Sequence, residues 1–214
     1  MKRLLVAAGC AAWIGLSAQA AEMLPPRAGP VSILPLDQVK PGMKTTAWTV
    51  FHGSDAEAVP IEILGVMKNV WGPRQDIILG KMGGKAERTS VAAGMSGSPV
   101  YYEGKLLGAV SLRLGAFSPD AICGITPIEL MLEINEFEEG RPAGAQAPGT
   151  RRVALDPQAL GRPAAGGGLF LTPIQNPLTF TGFSEAVLRE LGGVFDSLGM
   201  IAVQGGATTT SSRP

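Results

Sequence analysis

The chain has 214 residues with 18 basic and 18 acidic side chains, so its formal net charge is zero. No Lys/Arg cluster or basic stripe stands out, which argues against nucleic acid as a partner. The 29 glycines and 17 prolines favour short strands and turns over long helices, and the length suits one medium domain with tails.

Residues 1–20 have the pattern of a secretory signal peptide. The basic start Met1–Arg3 is followed by the apolar run Leu4–Leu16 and by a small-residue cleavage site, Ala18–Ala20. We therefore expect an extracytoplasmic protein, periplasmic or secreted. Lipoprotein processing at Cys10 stays open, but the apolar run before that residue is short and ordinary cleavage is favoured. No second stretch is long and apolar enough to span a bilayer.

Removal of Cys10 leaves Cys123 alone, so no internal disulfide is expected. Cys123 lies in an apolar run and is expected to be a small buried residue. A cysteine nucleophile is the alternative, although no histidine is near it in sequence. One histidine and no clustered carboxylates predict neither a metal site nor a cofactor.

Short strands separated by glycine and proline are predicted over the first half of the mature chain. Thr46–Phe51, Val59–Met67 and Asp76–Leu79 are apolar or β-branched segments, with turns at His52–Asp55 and Gly72–Pro73. Such a series predicts a mainly β fold, either a sandwich or a barrel.

The stretch Ala93–Val100 is the strongest candidate for a functional element. Ser96 lies between Gly94 and Gly97, so little side-chain bulk blocks the approach of another carbonyl. Glycine also adopts the backbone angles that turn successive N–H groups toward one point, as an oxyanion hole requires. A strand, a Glu-Gly turn and a second strand follow up to Ser111. By itself the pattern is also typical of an ordinary Gly/Ser turn between strands.

Three segments together, Gly94–Pro99, Gly104–Val110 and Gly124–Ile128, resemble the SpoIVB-type (sporulation stage IV B) serine peptidase family, which belongs to the chymotrypsin-like clan. The likeness spans roughly Pro35–Glu133 and resumes around Leu171–Gly206. It implies a chymotrypsin-like β-barrel, or part of one, in an exported serine endopeptidase. It also implies a polypeptide substrate and hydrolysis of peptide bonds through an acyl-enzyme.

The resemblance assigns roles to individual residues. Ser96 would be the nucleophile, and the backbone N–H groups of Gly94 and Ser96 would form the oxyanion hole. Ser98 is the rival hydroxyl, in a position where the family usually has glycine. The residues expected to flank the substrate are Ala109, Val110 and Ser111.

The general base is the least clear part of the predicted site. His52 is the one histidine and precedes the serine, as in the chymotrypsin-like order, but it stands in Phe-His-Gly where the family has Gly-His. Asp55 and Asp76 are candidate carboxylates, and Lys81 or Lys85 could replace the histidine. Two accounts stay open: a fragment whose Gly-His element lies beyond this sequence, or a fold without a base that serves as a protein-binding module in the cell envelope.

A helix is predicted directly after the serine hairpin. Thr126 is a candidate N-cap, Pro127 suits the first turn, and Glu129 stands at capping-box spacing. This helix is expected to end near Glu139–Gly140. With this helix as its last element, the predicted peptidase-like β domain spans residues 21–139.

The rest of the chain, after residue 139, divides into three parts by its composition. Residues 140–168 are rich in Ala, Gly, Pro and Arg and predict a flexible linker. Residues 169–204 predict a β/α segment, with strands at Leu169–Ile174 and Leu178–Phe180. Its helix is capped by Ser184 and is expected to end or weaken at Gly192–Gly193. Residues 205–214 predict a disordered tail.

Overall fold

The computed structural model describes residues 24–27, 29–115, 120–136, 152–156 and 168–205. The predicted signal peptide, most of the predicted linker and the tail after residue 205 lie outside these residues. The described chain is mainly β, as the sequence predicts.

Eight strands of the described residues belong to one sheet. They are β1 Lys44–Val50, β2 Ala56–Met67, β3 Ile77–Met82, β4 Pro99–Tyr102, β5 Lys105–Leu114, β6 Ile122–Pro127, β7 Val153–Leu155 and β8 Leu169–Pro173. Six of them close into an antiparallel barrel in the order β1-β2-β3-β6-β5-β4, because β4 pairs with both β5 and β1. The chymotrypsin-like barrel is therefore confirmed, and it is closed rather than partial.

The barrel forms because alternate residues of its strands are apolar and point inward. In β2, Val59, Ile61 and Ile63 are at most 2% exposed, whereas Pro60 is exposed and Glu62 is half-exposed. Register shifts interrupt β2 after Ile63 and β5 after Val110. Such bulges bend strands, which helps a small sheet to close on itself.

The helix after the barrel, α2, spans Ile128–Glu136, but the predicted capping box is wrong. Strand β6 continues through Pro127, and the Thr126 hydroxyl lies 2.7 Å from the Ser111 hydroxyl. The Glu129 carboxylate accepts instead from the Leu36 N–H at 2.9 Å, at the start of a 3₁₀ turn, Leu36–Gln38. Both capping groups therefore bind residues that are distant in sequence. The predicted end of this helix lies outside the described residues.

Two short elements were not predicted. Helix α1, Lys85–Thr89, follows the Gly83–Gly84 turn. Strand β7, Val153–Leu155, lies inside the predicted linker, which is corrected for these residues: Val153 and Leu155 are buried, and β7 pairs with β8.

The C-terminal β/α segment is confirmed. Strands β9, Asn176–Phe180, and β10, Met200–Gln204, pair in parallel on either side of helix α3, Glu185–Ser197. The Ser184 hydroxyl accepts from the Val187 N–H at 3.4 Å, so the predicted cap is present. The predicted break at Gly192–Gly193 is wrong, because the helix continues through both glycines. Across the described ranges, no helix is long and apolar enough to cross a membrane.

Candidate active site

The serine loop, residues 91–98, leaves the barrel between α1 and β4 and is tied to strand β5. The Gly97 N–H donates to the Val110 carbonyl at 2.8 Å, and the Val110 N–H donates to the Ser98 carbonyl at 2.9 Å. A third bond closes a turn within the loop, from the Ser98 N–H to the Met95 carbonyl at 3.1 Å. The position of Ser96 is thus fixed by β5.

The two glycines of the loop are needed for their backbone angles. Gly94 has φ of 89° and Gly97 has φ of 85°, values that residues with a Cβ rarely adopt. Between them, the Met95 side chain is 3% exposed and anchors the loop in the barrel core. The glycine pattern seen in the sequence therefore corresponds to a real conformational requirement.

The structure separates the two candidate hydroxyls. Ser98 precedes β4 and is 7% exposed, on the inward side of the chain with Val100. Ser96 is half-buried and lies at the bend between Met95 and Gly97. Of the two serines, Ser96 is therefore the more exposed.

The two amides expected to form the oxyanion hole differ. The Gly94 N–H donates to the carbonyl of Gln175 at 3.3 Å. In the described chain the Ser96 N–H has no backbone acceptor. One amide is thus already paired with a carbonyl, and the other is free to receive one.

Of the three residues expected to flank a substrate, Ser111 is the one with a backbone hydrogen bond to a segment outside the barrel strands and the serine loop. Ala109 pairs with Pro99 and Thr126 inside the barrel, and Val110 is bound to the serine loop. The Ser111 carbonyl accepts from the Ile174 N–H at 2.9 Å.

His52 lies at the same end of the barrel as Ser96. Strand β1 runs into the turn that carries His52, and β4 runs away from the serine loop, antiparallel to β1. The register of these strands, Thr46 opposite Tyr101 and Ala47 opposite Val100, therefore places the turn and the loop at the same end of the barrel. His52 is exposed, and no hydrogen bond joins it to Ser96.

The candidate carboxylates lie in different places. Asp55 shares the turn of His52 and is exposed. Asp76 lies at the opposite end of the barrel, where its carboxylate accepts from Lys68 at 2.7 Å and from the Asn69 N–H at 2.8 Å. Burial alone would raise the pKa of Asp76, but these two hydrogen bonds and the Lys68 charge outweigh burial and lower it. Asp76 thus stabilises the β2–β3 connection.

The candidate lysines are both engaged in ion pairs. Lys81 binds Asp120 at 3.0 Å. Lys85 pairs with Glu57 and lies 5.4 Å above the Phe51 ring. Neither is hydrogen-bonded to Ser96, and both ammonium groups are solvent-accessible.

Cys123 does not offer an alternative nucleophile. Its side chain is fully buried in the barrel core, and burial raises the pKa of its thiol to about 12. At neutral pH the thiol therefore stays protonated and inaccessible, as a structural cysteine does. The expectation of a buried apolar role is confirmed.

One component of the site had no signal in the sequence. The segment Ile174–Pro177 follows β8 and reaches both Ser111 and Gly94, although it is distant from them along the chain. In the ranges that the structure describes, no group of three or more potential metal ligands occurs. Comparisons with protein-family models, curated proteins and solved structures found no match.

Proposed function

We propose that this chain is an exported serine endopeptidase of the SpoIVB type, which hydrolyses peptide bonds through an acyl-enzyme on Ser96. The proposal depends on one observation: Ser96 lies half-buried in a loop whose two glycines adopt left-handed angles, and among the described residues its N–H has no backbone acceptor. Its sequence likeness to that family and its barrel support the same conclusion.

The proposed reaction begins with attack of the Ser96 Oγ on a substrate carbonyl. The hydroxyl proton passes to a base, and the carbonyl oxygen takes a negative charge that the N–H groups of Gly94 and Ser96 stabilise. Collapse expels the amine, which takes the proton from the base and leaves an ester on Ser96. Water then hydrolyses that ester and releases the carboxylic acid.

His52 is the proposed base, since it shares the barrel end with Ser96. Its exposed turn must approach the serine loop for the imidazole to accept the Ser96 proton, because a base acts within hydrogen-bond reach. Apo structures often hold catalytic groups further apart than the substrate complex does.

The second candidate function is a binding module in the cell envelope, with the fold of a peptidase and no catalysis. The missing hydrogen bond between His52 and Ser96 favours it. Such a module would hold a partner polypeptide as an added strand beside β5 and the serine loop.

A fluorophosphonate probe distinguishes the two functions, because it labels only an activated serine. On the full chain we expect labelling that Ser96→Ala abolishes and that Ser98→Ala retains. The Ser98 variant is the matched control, since it removes a hydroxyl two residues away. Absence of labelling both in the wild-type chain and in variants that open the site would favour the binding module.

The base is tested in the same assay. If His52 accepts the proton, His52→Ala lowers the labelling rate by a factor of about 10² to 10⁴, the usual contribution of a general base. Asp76→Ala leaves the rate unchanged for the folded fraction, because Asp76 lies at the other end of the barrel. An unchanged rate in the His52 variant means that the base is another group.

Mass measurement of the exported chain tests cleavage after residue 20.

A further inference from the structure

A second segment of this chain, Ile174–Pro177, lies against the serine loop and the end of β5. Strand β8 pairs with the end of β5 through Thr172 and Pro173, and the chain then continues along the same edge. There the Ile174 N–H donates to the Ser111 carbonyl at 2.9 Å. One residue later, the Gln175 carbonyl accepts from the Gly94 N–H at 3.3 Å.

These two bonds are the contacts that a bound peptide would make. An extended substrate adds to a sheet edge through backbone hydrogen bonds, and its reacting carbonyl lies against the oxyanion donors. Here Ser111 supplies the edge and Gly94 supplies the donor. Any substrate of Ser96 would therefore compete with Ile174 and Gln175 for the same backbone groups.

The segment is held on both sides of the site. The Ile174 side chain is 4% exposed and belongs to the core cluster that contains Val91 and Met95 of the serine loop. On the other side, the Asn176 N–H donates to the Gly199 carbonyl at 3.1 Å. The Pro177 ring lies beside Gly94, so that a methyl group at Gly94 would be 3.9 Å from the Pro177 Cδ.

The position of the Gln175 carbonyl is that of an inhibitor rather than of a reacting substrate. It engages one of the two expected oxyanion donors, at the long distance of 3.3 Å, and leaves the Ser96 N–H unused. An oxyanion hole stabilises the transition state when its donors lie 2.7–3.1 Å from the developing negative charge. The segment thus occupies the place expected for a substrate, at Ser111 and Gly94, without completing the catalytic arrangement.

We propose that Ile174–Pro177 is an intramolecular strap that fills the peptide-binding groove of Ser96 and keeps the site closed until a polypeptide displaces it. This inference rests on the proposed function for its effect on catalysis, but not for the two hydrogen bonds that the segment makes with Ser111 and Gly94. It also defines the ligand. A competing peptide must be extended and carry a branched apolar side chain directly before the residue whose carbonyl reaches Gly94.

The test compares two variants of the full chain that lose similar buried side chains. Ile174→Ala removes the anchor of the strap, and Leu155→Ala removes a side chain that is also 4% exposed but lies in the other core cluster. Two measurements are made on each: hydrogen exchange of residues 92–98, and the rate of fluorophosphonate labelling.

We expect Ile174→Ala to accelerate exchange at 92–98 and to raise the labelling rate about tenfold or more, since reactivity scales with the fraction of open sites. Leu155→Ala should change neither measurement by a comparable factor. Should Ile174→Ala fail to fold, Gln175→Gly, which loosens the strap without opening a cavity, is judged by the same two readouts.

The outcomes separate this inference from the proposed function. Faster exchange at 92–98 without labelling of any variant supports the strap and contradicts the peptidase. Equal labelling of wild type and strap variants supports the peptidase and overturns the strap, as does unchanged exchange in both strap variants. Cleavage of the wild-type chain between Gln175 and Asn176 also overturns it, because the segment would then be a substrate.

Discussion

Replacement of Gly108 by alanine tests the close approach of strands β5 and β6 within the barrel. A methyl group at Gly108 would lie 2.1 Å from the Thr126 carbonyl oxygen and 3.1 Å from the Ile125 Cγ2. Strands β5 and β6 must then separate by roughly 1 Å, and overpacking of this kind costs about 1–3 kcal/mol, occasionally more. The atom in the way belongs to the backbone and cannot rotate aside, so we expect the upper end, about 3 kcal/mol.

A loss of that size corresponds to a fall in Tm of about 6–12 °C for a chain of this length, which calorimetry or circular dichroism measures. Gly65→Ala in β2 is the matched control, because no atom lies within 4 Å of the added methyl group and the backbone there is not left-handed. Its Tm should stay the same or rise slightly. Equal melting of the two variants would contradict the close packing of β6 against Gly108 that the structure shows.

Three further predictions concern groups away from the serine. Asp76→Asn should lower the free energy of unfolding at pH 7 by about 1.5–3 kcal/mol, since the carboxylate accepts from Lys68 and Asn69. The folded-state pKa of Asp76 is below the ordinary value for an aspartate, so its stabilisation is present above that ordinary value and is lost as the pH falls through the folded-state pKa. Urea unfolding of wild type and Asp76→Asn at pH 7 and pH 3 should therefore show their stability difference shrinking at the lower pH. Iodoacetamide at pH 8 should modify Cys123 no faster than the chain unfolds, because the thiol is buried and has a pKa of about 12. Mass spectrometry follows the alkylation, and rapid modification of the native protein would contradict the buried position of Cys123. Glu129→Ala should remove the acceptor of the Leu36 N–H and lower the free energy of unfolding by about 1 kcal/mol. Amide hydrogen exchange should become faster at Leu36 but not at Val39. Unchanged exchange at Leu36 would mean that this hydrogen bond does not protect the amide.

Features that depend only on residues close together in the sequence could be predicted from it. The alternation in Val59–Met67 predicts a strand because period-two patterning decides which face is buried, and β2 includes this whole segment. Glu103 and Gly104 both have positive φ, 47° and 79°, as a two-residue hairpin turn between β4 and β5 requires. These choices are local, so the sequence alone contains them.

The capping box failed because its groups found better partners elsewhere. Thr126 and Glu129 have the right spacing, but Thr126 lies in the ladder opposite Ala109 and Glu129 meets the Leu36 N–H. A capping motif stabilises a helix by about 1 kcal/mol, and tertiary pairing of a whole strand exceeds that. Strand β7 was missed for a similar reason: Val153–Leu155 is too short to show periodicity and becomes a strand only because β8 lies beside it.

The difference between local and long-range contacts also explains why the serine loop could be predicted from the sequence and the groups around it could not. The serine loop depends on the backbone angles of Gly94 and Gly97, which the sequence contains, whereas a base or an inhibitor depends on what the fold brings within about 3 Å. The Phe-His-Gly pattern determines a turn at His52 but not the neighbour of its imidazole. The sequence around Ile174 likewise determines an extended strand but not the edge on which it lies. The closed barrel brings both segments to the end that carries Ser96. On the proposed function, therefore, Ser96 reacts only after two changes: His52 must approach the hydroxyl, and Ile174–Pro177 must release Ser111 and Gly94.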